Sequence, residues 1–167
     1  MTMRFHRSIF ACVVFIALSM SAQQSEYASL RTKQWMSVDP PSPVSVSVGK
    51  TTDVHLSFRV NEGMHINSHT PSNELLIPTT LNVTQVPQFK IGAISYPKGA
   101  DLALPFDPTE KLSVYTGTVN LVLRISVPTG AKTGVYTLHA EISYQACNDR
   151  ACFPPRKLPV EISVTVN

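Results

Sequence analysis

A chain of 167 residues, 43% hydrophobic and 15% charged, is long enough for one domain with a real core and too short for two comfortable ones. Its formal charge of +3 at pH 7 rests largely on the N-terminus: the 14 Lys and Arg, less Arg4 and Arg7, leave 12 against 11 acidic residues. That balance gives no electrostatic case for nucleic acid or an anionic membrane as partner.

Arg4, His6 and Arg7 precede an apolar run from Ile9 to Leu18, and Ser19-Met20-Ser21-Ala22 supplies small residues for cleavage. The pattern predicts a secretory signal peptide over 1–22, because the run falls short of the roughly 20 apolar residues that span a bilayer. Cys12 lies inside the run and leaves with it. Cys147 and Cys152 then remain as the two thiols of a soluble periplasmic or secreted protein, in a compartment where disulfides persist.

Residues 23–43 are polar and end in Asp39-Pro40-Pro41-Ser42-Pro43, which reads as a leader into a domain over 44–167. From there the period is two. Val44, Val46 and Val48 alternate with polar residues, as do Val54, Leu56, Phe58 and Val60. Met64-His65-Ile66-Asn67 follows a Glu62-Gly63 turn, and strand-like content continues through Leu81 to Val86 and Phe89 to Tyr96. Residues 97–112, with Gly99, Pro105, Phe106 and Pro108, show no clean period and read as a long surface loop of the kind that often carries function.

Alternation returns over Val119 to Val127, Tyr136 to Tyr144 and Val160 to Val166. No stretch keeps a helical period, and 13 prolines leave few windows for a helix. The fold class is therefore all-β, with about seven to nine short strands in an immunoglobulin-like sandwich.

The chemistry concentrates in S-Y-Q-A-C-N-D-R-A-C-F-P-P, residues 143–155. Cys147 closes the strand that starts near Val135, Pro154-Pro155 precedes the last strand, and Asn148-Asp149-Arg150-Ala151 is the turn-forming connection at a hairpin mouth. Arg150 would favour a thiolate nearby and Asp149 would oppose it. A disulfide closing six residues removes little chain entropy, about 2 kcal/mol in the loop-closure model. From spacing alone, a hairpin staple and an exchange centre both stay open.

The stretch Y-Q-A-C-N-D-R-A-C-F-P-P, with G-M-H-I-N-S-H-T-P and L-I-P-T over residues 63–79 and L-S-V-Y at 112–115, resembles the N-terminal periplasmic domain of DsbD-type thiol:disulfide interchange proteins, across Met36 to Asn167. The resemblance implies an immunoglobulin-like domain whose cysteines cycle between dithiol and disulfide. By position, it makes Cys152 the attacking cysteine and Cys147 the resolving one, and it points to Phe106 as the candidate aromatic cap over them. The Met64 to Asn67 segment departs from the family, whose best-known members carry several tyrosines there.

The implied partners are a membrane thiol:disulfide reductant, expected as a separate chain because no membrane core follows Asn167, and periplasmic thioredoxin-like or disulfide proteins. Neither a cofactor nor a small-molecule substrate is expected, since a thiolate in line with a disulfide sulfur suffices. Met64, His65, His69 and the cysteines offer a competing copper or zinc set. Four-residue histidine spacing suits a helix, however, and this region is not helical, so they read as polar loop residues and no metal site is assigned. His55 and His139 fall on outward strand faces. No phosphate loop or nucleophile elbow supports hydrolase or transferase chemistry.

Overall fold

The computed structural model describes residues 33–104 and 107–167. Those from Gln34 to Asn167 form one compact unit. The signal-peptide reading of 1–22, Cys12 and Phe106 lie outside the described residues.

All twelve regular elements in the described residues are strands: β1 (Met36–Val38), β2 (Val44–Val46), β3 (Thr51–Val60), β4 (His65–Asn67), β5 (Thr80–Val83), β6 (Lys90–Ser95), β7 (Ala100–Leu104), β8 (Asp107–Tyr115), β9 (Thr118–Ser126), β10 (Gly134–Tyr144), β11 (Ala146–Cys147) and β12 (Arg156–Val166). One sheet has the order β1-β3-β9-β6 and a second the order β2-β12-β10-β5. The third, β11-β4-β8-β7, lies where β3 runs on into β4 and β10 into β11.

The long strands form where alternation is unbroken. In β3, Val54, Leu56, Phe58 and Val60 are buried while His55 and Arg59 are exposed. Residues Leu121, Leu123 and Ile125 of β9 and Leu138, Ile142, Ile162 and Val164 of β10 and β12 join them in one core. Burying a side chain of this size stabilises the fold by roughly 1.5–3 kcal/mol, so these inward rows outweigh every exposed ion pair on the sheets. The fold is the all-β sandwich that the periodicity predicts.

The number of strands exceeds the expected seven to nine because several are only two to four residues long. Pairing across the sheet, invisible to local periodicity, makes them strands. The chief correction concerns 97–112. Instead of a loop it supplies β7 and much of β8, antiparallel from Ala100↔Val114 to Leu104↔Asp107 with a register shift after Ala103. Neither strand shows in local periodicity, because each is defined by its pairing with the other.

The segment read as a leader contributes β1, which pairs with the end of β3 from Met36↔Val60 to Val38↔Phe58. Trp35 and Met36 are buried. The Trp35 amide donates to the Tyr144 hydroxyl at 3.1 Å, and that hydroxyl donates to Gln34 Oε1 at 2.7 Å. These bonds clamp the start of the domain onto the end of β10, beside the cysteines.

Candidate functional site

Tyr144 ends β10 opposite Arg156, and Gln145 breaks the strand. Cys147 is therefore not the last residue of β10, as the hairpin reading expects. It sits on β11, which leaves the second sheet and pairs with β4 as Ala146↔Ile66 and Cys147↔His65. Two local devices force the departure. The Gln145 carbonyl accepts the Asn67 amide at 3.4 Å, and the Gln145 side chain accepts from Asn67 Nδ2 at 3.4 Å while donating to the Phe153 carbonyl at 3.2 Å.

Cys147 and Cys152 face each other across an antiparallel bridge and are joined by a disulfide, with Cα atoms 4.0 Å apart. Asn148 organises the turn between them. Its Oδ1 accepts the amides of Arg150 and Ala151, each at 2.9 Å, and its own amide donates to the Ala151 carbonyl at 3.0 Å. An Asn side chain that mimics a backbone acceptor is the usual means of fixing so short a connection. Beyond the turn, the Phe153 amide donates to the Ala146 carbonyl at 2.8 Å, and the Phe153 ring stacks on Trp35 at 4.4 Å between centroids.

The two sulfurs occupy unlike environments. Cys147 is 2% exposed, at the edge of the core, whereas Cys152 is exposed to solvent. Arg150 and Asp149 are exposed as well. Asp149 reaches the rim of a cleft of about 340 Å³ that Gly63, Met64, His65, Leu102, Ala103 and Thr116 also line.

His65 arrives there through the turn of Asn61 to Met64, where the Met64 amide donates to the Asn61 carbonyl at 3.1 Å and Gly63 takes φ 72°, a left-handed conformation that glycine adopts without strain. The imidazole is buried, and its Nε2 has no hydrogen-bond partner. Burial holds its pKa below the ordinary 6.5.

His69, four residues on, goes elsewhere. Its ring lies flat on Tyr96 with centroids 3.7 Å apart, and its Nδ1 donates to the Thr79 carbonyl at 3.0 Å. The two histidines that spacing grouped with Met64 and the cysteines are thus held by different contacts, and among the described residues no three His, Cys, Asp or Glu side chains are placed to hold a metal ion. His55 and His139 are exposed, with His139 Nδ1 3.6 Å from Glu161.

Sequence reasoning located both cysteines, missed Trp35 under Phe153 and Gln145 beside the bridge, and named His65 only as a metal candidate or polar loop residue, not as the residue opposite Cys147. Gln145 stood in the matched stretch without a role. Spacing groups His65 with His69 as a metal candidate, but its place opposite Cys147 depends on pairing between β4 and β11, some 80 residues apart in the chain.

The family model for the N-terminal part of thiol:disulfide interchange protein DsbD matches residues 32–163. The chain belongs to the DsbD N-terminal family. Membership makes it a thiol:disulfide interchange domain, and a disulfide joins Cys147 to Cys152 within the matched residues. No curated protein matches the sequence.

Among solved structures, the reduced N-terminal domain of DsbD from Neisseria meningitidis is 18% identical, with TM-score 0.47 over 77% of this chain and 85% of that one. The N-terminal periplasmic domain of ScsB from Proteus mirabilis is 11% identical, with TM-score 0.49 over 76% of this chain and 44% of that one, so the match spans less than half of the ScsB chain. A cohesin–dockerin complex from Clostridium thermocellum is 13% identical, with TM-score 0.44 over 80% of this chain. In the described residues no helix is long and apolar enough to cross a membrane.

Proposed function

We propose that this DsbD N-terminal domain works in the periplasm as an electron relay, taking two electrons from a membrane thiol:disulfide reductant and passing them to thioredoxin-like or other disulfide-bearing proteins through Cys147 and Cys152. The observation that carries the reading is the asymmetry of the pair: one sulfur exposed, the other 2% exposed. An exchange reaction needs one thiolate that a foreign disulfide can reach and a second that completes the reaction from within. Cys152 fits the first role and Cys147 the second.

The chemistry requires no cofactor. Thiolate attack on a disulfide sulfur gives a mixed disulfide, and the resolving thiolate breaks it. The Asn148 turn holds the two cysteines opposite each other. Burial beside β4, at 2% exposure, protects Cys147 from unrelated oxidants.

The reading is tested by equilibrating the exported protein with glutathione buffers and trapping its thiols. A midpoint above about −300 mV is expected, and one below it marks a bridge that the glutathione pool cannot reduce and removes the exchange role.

A further inference from the structure

The second half of exchange poses a chemical problem. Once reduced, Cys147 is a thiol buried at the edge of an apolar core, and such surroundings raise a thiol's pKa and leave it inert. Resolution needs a thiolate at that sulfur. Something within reach must take the proton.

Cys147 pairs with His65 across β11 and β4, and directly opposed residues of an antiparallel pair project from the same face with Cβ atoms about 4.5–5.5 Å apart. The imidazole beside the cysteine is 5% exposed and its Nε2 makes no hydrogen bond. A buried polar nitrogen without a partner costs stability and calls for a reason. Around His65 stand Cys147 from β11, Thr116 after β8, Leu102 and Ala103 from β7 and Met64 from its own segment. Asp149 lines the same cleft and is the one charged side chain among the described residues that do.

Resting on the exchange reading above, we infer that His65 is the proton acceptor for Cys147 in the resolving step. In the mixed disulfide between Cys152 and a partner, the Cys147 Sγ–H proton passes to the neutral imidazole. The Cys147 sulfur then bonds to Cys152 Sγ as the bond from Cys152 to the partner sulfur breaks. The partner sulfur leaves as a thiolate carrying the electron pair, so the domain's dithiol is oxidised and the partner reduced by two electrons. The proton on His65 returns to water through the cleft at Asp149. Burial keeps the imidazole neutral at neutral pH and therefore ready to accept.

The test uses the reduced exported protein and dithiobis(nitrobenzoate), whose coloured thiolate is released once when Cys152 attacks and again when Cys147 resolves. In the wild type, the second release is expected to level off above about pH 6.5, the range in which an imidazole is neutral. In His65→Gln, which keeps hydrogen-bonding capacity but takes no proton, the ratio of second to first release rates is expected to fall about a hundredfold at pH 7, within the range a positioned acid–base group contributes.

An unchanged ratio overturns the assignment. If the variant fails to fold, the wild-type profile decides alone: a second release that climbs steadily with hydroxide, without the plateau, also overturns it. A wild type that gives no second release at all removes the exchange reading, and the role of His65 with it.

Discussion

Trp35 lies beneath Phe153 with ring centroids 4.4 Å apart and planes inclined by 30°, joining the segment before β1 to the residue that follows Cys152. The contact ties the disulfide turn to the core. Trp35→Ala removes a side chain that is 7% exposed, and large aromatic truncations of this kind cost about 3–5 kcal/mol. Urea denaturation of the oxidised protein measures the loss. The same variant should let dithiothreitol reduce the disulfide faster, because Phe153 then lacks its support, and an unchanged reduction rate would mean that the Asn148 turn alone holds the cysteines.

Asn148 accepts two backbone amides through one oxygen, at 2.9 Å each. Asn148→Ala leaves both amides to water and should destabilise the oxidised protein by about 1–2 kcal/mol, the scale of a lost side-chain cap. Asn148→Asp retains the acceptor and should recover most of it. Chemical denaturation of the three proteins side by side checks this, since Asp keeps the acceptor oxygen that Ala lacks.

Where the chain advertises its structure, it does so by alternation. The inward rows of β3, β9, β10 and β12 could be read directly, because a strand with one face in the core must place apolar side chains at every second residue. The cysteines were legible as chemistry through their isolation as a pair and their matched surroundings. What stayed hidden depends on contacts distant in sequence. β7 and β8 look irregular until they are paired, β11 is two residues long, and His65 gains its meaning from Cys147 on another strand. Trp35 stood in a polar segment with a proline run after it, so nothing local set it apart from a linker.

The hydroxyls of Tyr96, Tyr115 and Tyr144 are pushed above the ordinary 10.0, chiefly by burial. In the unfolded chain they ionise near 10, and in the folded protein later. Their contribution is thus fully present below pH 10 and is lost as pH rises through the folded values. Stability should hold to about pH 10 and then fall. Tyr144→Phe should lower stability at neutral pH, where the Trp35 amide loses its acceptor, and should flatten the alkaline fall, as thermal melts from pH 8 to 11 would reveal.

Gly99 lies where a side chain has no room. A Cβ there would overlap Ser113 Oγ and come within 2.8 Å of Ser68 Cβ, two residues whose hydroxyls share a hydrogen bond of 2.9 Å. Gly99→Ala should therefore destabilise the protein by about 1–3 kcal/mol, as overpacking does, although alanine in open space would gain from reduced chain entropy. Because β7 begins at Ala100 and lines the cleft with Leu102 and Ala103, hydrogen exchange should quicken in β7 before it does in β10. Equal protection in the two strands would show that the clash is absorbed locally.

Exposure assigns different fates to the two cysteine variants. With Cys147→Ala, the exposed Cys152 can still attack a disulfide but nothing behind it completes the reaction, so mixed disulfides with periplasmic proteins should accumulate. With Cys152→Ala, the remaining thiol is 2% exposed and an incoming disulfide cannot align with it, so trapping should be scarce. Non-reducing gels of the two variants after acid quenching distinguish the cases. Adducts confined to Cys152→Ala would reverse the roles, and with them the direction in which His65 serves the pair.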